Sequence, residues 1–130
     1  MNDHELGLIQ FLAEPSRRRM QTLLDLGPKR RSDVRAMLDH AIALDERHAL
    51  RLTGEDASAA NVEALLRRHG APPTCLVISS DKQMDGRVLP LGDALAGVVG
   101  SDFGAFLSCI PGRLGYFEHE DVRSAYLLHK

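Results

Sequence analysis

Apolar residues recur three and four apart through the first seventy positions and gather into short unbroken runs after them. The first pattern is that of helices and the second that of strands. Asn2 or Asp3 can cap a first helix running to about Ala13, with Leu6, Ile9 and Leu12 among its apolar positions. Glu14-Pro15 ends it, because the residue before proline resists the helical conformation. Ser16 can cap a second helix that buries Met20, Leu23 and Leu24 and stops at Gly27-Pro28. Ser32 or Asp33 opens a longer third helix through about Leu50, with Val34, Met37, Leu38, Ala41, Ile42 and Leu44 at helical spacing. Ser58 opens a fourth, with Val62, Leu65 and Leu66 inward, and Gly70-Ala71-Pro72-Pro73 stops it.

Beyond Pro73 the period changes. Cys75-Leu76-Val77-Ile78 is a continuous apolar run, as expected of a strand buried on both faces. Leu91, Ala94, Leu95, Val98 and Val99 predict a short helix between Pro90 and Gly100. Three strand-like runs follow, at 104–110, 113–118 and 123–129, with Pro111-Gly112 as a turn and His119-Glu120-Asp121 as the last corner. Strand, helix, strand implies a parallel pair joined by a right-handed crossover, and the meander adds two antiparallel strands. The expected fold is therefore α+β in one domain. About four helices occupy residues 1–70, and a β-α-β-β-β four-stranded mixed sheet occupies 71–130.

Composition agrees with one domain. The chain has 130 residues, 44% of them hydrophobic and 26% charged, enough for a core without metals or disulfides. Cys75 and Cys109 lie in apolar runs and read as buried thiols. The start of the chain has no basic segment leading into a long apolar one, and no stretch is apolar enough to span a bilayer. The expectation is a cytoplasmic protein without membrane contact. A net charge of −2 gives no overall pull toward nucleic acid. Residues 17–35 are the exception: Arg17, Arg18, Arg19, Lys29, Arg30, Arg31 and Arg35 face only Asp25 and Asp33, a local net of +5.

The predicted topology directs attention to one edge of the sheet. Ligands of open α/β units bind at the carboxyl ends of parallel strands. Ser80, Asp81, Asp85 and Arg87 follow the first strand, and Arg113 follows the second. With the start of the crossover helix they would form a crevice for a small polar ligand or a partner's charged group. Cys109 near His119 is the sharpest catalytic idea, but the same topology puts the two about 20 Å apart. His40 and His48, eight apart on one helix, would lie about 80° around its axis and cannot share an ion. Asp45 and His48 make no closed site either. No motif for a metal, a phosphate loop or another cofactor is present, and none is expected.

The stretch Phe11-Leu12-Ala13-Glu14-Pro15-Ser16-Arg17-Arg18-Arg19-Met20 resembles the opening of winged helix-turn-helix repressors of the arsenic-responsive type. The resemblance implies a DNA-binding helix pair. It covers about fifteen residues and lapses where a recognition helix would follow: Asp39, His40, Asp45, Glu46 and His48 stand there, and acidic groups repel phosphates. A binding module fits the whole chain better. The first helix is apolar on several sides (Leu6, Leu8, Ile9, Phe11, Leu12) and must be covered by its own fold or by another chain. Tyr126-Leu127-Leu128 would make an unusually apolar sheet edge. The function expected is a regulatory or protein-interaction module with a protein partner or a second copy. A small enzyme acting on a polar or anionic substrate comes second, and nucleic-acid binding third.

Overall fold

Cys75, Leu76, Val77 and Ile78 are all buried, which an antiparallel strand achieves only when helices cover both of its faces. The computed structural model, which describes residues 1–40, 42–120 and 124–130, has that arrangement. Its helices are α1 (Asp3–Gln10), α2 (Ser16–Asp25), α3 (Arg31–His40), α4 (Ala59–Arg68) and α5 (Leu91–Val98). Its strands are β1 (Ala49–Leu52), β2 (Thr74–Ser79), β3 (Val88–Pro90), β4 (Ala105–Ile110), β5 (Leu114–Glu118) and β6 (Ala125–His129). The strands form one sheet in the order β1-β6-β5-β4-β2-β3, antiparallel at every pairing.

Alternation along the strands divides the interior in two. Cys75, Val77, Leu107 and Cys109 pack with Val62 and Leu66 of α4 and with Leu91, Ala94, Leu95 and Val98 of α5. Leu76, Ile78, Phe106 and Phe117 point the other way, onto Leu8, Met20, Leu23, Leu24, Val34, Met37 and Leu38 of α1 to α3. The apolar first helix is thus absorbed by its own fold: Leu8, Ile9, Phe11 and Leu12 are buried and only Leu6 stays exposed. Asn2 closes a capping box with Glu5 at its start.

The expected four-stranded mixed sheet is incorrect, for two physical reasons. The third helix does not reach Leu50. Within 42–45, the Ala43 N–H donates to Ser16 Oγ, the Asp45 N–H donates to Phe11 O, and the Ala43 carbonyl accepts from the Ala13 N–H. These bonds hold the chain against 11–16 in place of another helical turn, and 49–52 leave as β1, paired with β6. Ala41, expected on that helix, lies outside the described residues, as do Asp121 and the start of the 123–129 run. β6 is consequently an interior strand, not the bare edge that Tyr126-Leu127-Leu128 implied.

The second reason is β3. Asp81 to Gly86 reverse the chain, and Val88–Pro90 run back along β2, so α5 begins beside Pro73, whose carbonyl accepts the Leu91 N–H. From there the chain enters β4 against β2. Leu76 faces Ser108 and Ser79 faces Ala105, so the pair is antiparallel and there is no crossover.

Two glycines mark where the layers touch most closely. A Cβ on Gly104 would collide with the Leu38 carbonyl, and one on Gly7 with the backbone N of Gly112. Gly104→Ala is expected to cost about 1–3 kcal/mol, the range for overpacking a tight contact. Urea unfolding measures it, and an unchanged midpoint would contradict so close an approach of α3 to the sheet.

Candidate functional site

The antiparallel pairing separates the residues expected to share a crevice. Ser80, Asp81, Asp85 and Arg87 sit in and after the loop that follows β2. Arg113 follows the other end of β4, about 17 Å away along a six-residue strand. Most of the loop's polar groups are engaged within the fold. Ser80 Oγ donates to Asp39 Oδ1 (2.7 Å), and the Gly104 N–H donates to the same oxygen (2.8 Å). Asp81 Oδ1 accepts from the Gln83 N–H, a turn-forming bond. Arg87 is exposed.

Asp85 is committed most fully. Its carboxylate takes a two-pronged bond from Arg31 (Nε 2.7 Å, Nη2 2.8 Å) and a third from the Ser79 N–H (3.1 Å). Arg31 also donates to Glu5 (2.6 Å), and Arg35 stands 3.8 Å from Asp85. One guanidinium therefore ties α1, α3 and the β2–β3 loop together. Asp85 and Glu5, its first and second anchors, hold Arg31 firmly charged. The same bonds consume much of the basic stretch. Arg30 pairs with Asp33, and Arg17 Nε donates to the Leu12 carbonyl.

Both thiols lie in the core. Cys75 and Cys109 are buried and hydrogen-bond to each other. That bond, reinforced by burial, pushes the Cys109 thiol well above its usual range and away from the reactive thiolate. His119 follows Glu118, which pairs with Ala105 at the far end of β4 from Cys109. Glu118 is buried too; burial raises its carboxyl, while the Tyr116 hydroxyl (2.7 Å) and the Gly100 N–H act in opposition. It anchors the loop after α5. His40 ends α3 and does not share a helix with His48. Asp39, His40 and Glu120 converge within 4.8 Å, but Asp39 is bonded as above and exposed His40 pairs with Glu120 at 3.5 Å. Asp45 pairs with Arg47 at 2.7 Å.

The open surface lies elsewhere. Three helices cover one face of the sheet and two cover the other. Six strands span about 24 Å between outer axes, whereas two packed helices cover about 20 Å. The shortfall falls at β1. Leu50 points to the α4–α5 side at the uncovered margin and is 58% exposed. A groove of about 480 Å³ runs between β1 and α4, lined by Leu50, Leu52, Leu65 and Arg68 among others. Leu50 also lines a second hollow of about 320 Å³, with Arg47, His48, His69, Leu127 and His129. His69 and His129 continue into a third of about 270 Å³, with Ile110, Arg113, Leu114 and Lys130.

Shared lining residues make these hollows one trough. Its floor is aliphatic and its rim cationic. Asp56, at the end nearest the start of α4, is the one acidic side chain among the described lining residues. Sequence reasoning missed this site because its parts come from 47–52, 56–69, 110–114 and 127–130. The readable signal was Leu50-Arg51-Leu52, two apolar residues on either side of a charged one.

Arg31→Met is expected to lose about 2–3 kcal/mol, somewhat below the cost of a fully buried broken pair because water reaches Arg31. R31M/D85N should recover at least half of that loss in urea unfolding; no recovery would mean the fork is not the cause. At the rim, the Arg47 bonds hold the Asp45 carboxylate below the usual range, so its stabilising contribution exists above that range and fades as pH falls through it. Thermal unfolding of wild type and D45N should accordingly converge on acidification from pH 7 to 2. A gap that widens would reverse the sign. Among the described residues no helix is long and apolar enough to cross a membrane. No family model, curated protein or solved structure matches the chain.

Proposed function

We propose that this domain is a protein-interaction module that receives an extended segment of another protein along the β1 margin. The observation that carries the reading is the continuous trough from Leu52 and Leu65 to Arg113 and Lys130. Its width supports an extended segment over a helix: the uncovered strip is about one strand wide, roughly 5 Å, and a helix needs about 10 Å. The occupant's chemistry follows from the walls. Leu50, Leu52, Leu65 and Leu127 offer apolar contact to alternate side chains. Arg68, Arg47 and Arg113 favour acidic side chains between them. The outer side of β1 pairs with no other described strand, leaving main-chain groups for the segment to engage.

Selection of random 12-residue peptides displayed on phage tests the reading. The full chain should enrich sequences that alternate apolar with acidic residues. Leu50→Glu, at an exposed position, should leave the thermal midpoint within about 2 °C, since surface substitutions seldom cost much. It should weaken binding of the enriched peptides at least about tenfold, as expected when a buried apolar anchor becomes a charge. Enrichment of basic peptides, of none, or of peptides indifferent to Leu50→Glu would overturn the proposal.

A further inference from the structure

We infer that the end of the trough formed by His48, His69, His129 and Arg113 is an oxyanion subsite, taking the phosphoryl or carboxylate group of an anionic side chain. The inference rests on the proposed trough and adds what its basic end recognises. The imidazoles of His69 and His129 stand 4.4 Å apart between ring centres, tilted by 57°. They come from unrelated parts of the chain. His69 terminates α4, and His129 ends β6 opposite Leu114. His48 and Arg47 approach from the turn before β1, Arg113 from the β4–β5 turn, and Lys130 from beyond β6.

Among the described residues, no aspartate or glutamate lines either of the two hollows that meet here. Among the described residues, the acidic side chain paired with a lining group is Asp45, engaged by Arg47 at 2.7 Å. None of the described ion pairs uses Arg113, His48, His69 or His129. Lys130 Nζ sits 5.7 Å from the centre of the Phe11 ring, drawn toward the other face of the sheet.

This composition has a chemical consequence. Two protonated imidazoles in ring contact repel each other, and a guanidinium beside them adds to the repulsion. An oxyanion between them removes that repulsion and receives several charge-assisted N–H bonds at once. A cation or a neutral ligand gains neither. A guanidinium attracts an anion whether or not a neighbouring imidazole is protonated, and a protonated imidazole attracts it more strongly than a neutral one. The bonds between Asp45 and Arg47 favour the charged form of both.

The experiment is a titration of the full chain with inorganic phosphate at pH 6, at constant ionic strength set with chloride, following the histidine ring signals by NMR. Saturable shifts are expected at His48, His69 and His129, with His4, His40 and His119 unmoved. Arg113→Gln should weaken the affinity at least fivefold and H69Q/H129Q at least tenfold. Arg87→Gln, at the opposite end of the sheet, should change it less than twofold. Raising the pH to 8 should weaken binding at least fivefold. Acetate in a parallel arm distinguishes the source: tighter phosphate binding points to a phosphorylated residue, and equal binding to an acidic side chain.

Shifts that chloride reproduces, that spread to all six histidines, or that survive Arg113→Gln unchanged would overturn the subsite. The outcome is separable from that of the trough. Phosphate can fail to bind while peptides are still selected through Leu50, which removes the subsite alone. Phosphate binding with no peptide selected removes the trough and leaves an isolated anion site.

Discussion

Everything in this fold depends on covering both faces of β2 and β4. From Cys75 to Ser79 and from Ala105 to Cys109 every residue is buried, and alternate side chains enter opposite cores. Burial of apolar area at about 25 cal/mol per Å² is the main favourable contribution in a domain of this size. Here it cannot be collected on one side only. A helical layer lost from either face would expose half of each central strand. The chain meets this demand with α1 to α3 on one face and α4 and α5 on the other, and the turns between them are subordinate to it. Gly104 beneath the Leu38 carbonyl and Gly7 on the Pro111-Gly112 turn show how closely the three-helix layer sits.

Polar bonds then fix the arrangement that burial alone leaves loose. Apolar contact is non-directional and tolerates sliding of a helix over a sheet. The Arg31 fork does not, because a planar guanidinium holding Asp85 and Glu5 admits one geometry. The bond between His4 Nδ1 and Ser108 Oγ (2.6 Å) pins α1 to β4 in the same way. The polar loop that suggested a ligand crevice is thus largely spent on internal registration, and the aspartate that looked most available is the one most deeply engaged.

Much of this was legible in the residues, and the failures have specific causes. Several helix ends read well from local signals: Asn2 caps α1, Ser58 caps α4, and Gly70 and Gly100 follow helices with positive φ, whereas Ser16, expected as a cap, lies inside α2 behind Pro15 and accepts from Ala43 instead. The unbroken apolar run Cys75-Leu76-Val77-Ile78 pointed correctly to burial on both faces. Strand direction was not legible, because it hinged on Val88-Leu89-Pro90, three residues too short and too proline-marked to announce a strand. That one omission turned an antiparallel hairpin into a presumed crossover and moved Arg113 to the wrong end of the sheet. The end of α3 was illegible for a different reason. Apolar spacing continues through Ile42 and Leu44, and only bonds to 11–16, remote in sequence, divert the backbone there.

The two edges of the sheet differ in how they are protected. A free edge invites unwanted pairing, and β3 is protected by being three residues long and ending in proline. β1 has no such protection. It is four residues of Ala-Leu-Arg-Leu, with Leu50 more than half exposed on the side where helical cover runs out. Its one blunting device is charge: Arg51 on the strand and Arg47 just before it repel a second copy of the same edge. A like-charged edge discourages self-pairing and favours a segment of opposite sign. The uncovered strip, the aliphatic floor and the cationic rim arise separately, from helix count, strand alternation and the ends of four elements. Their coincidence along one margin is what a receptor for an acidic, extended partner requires.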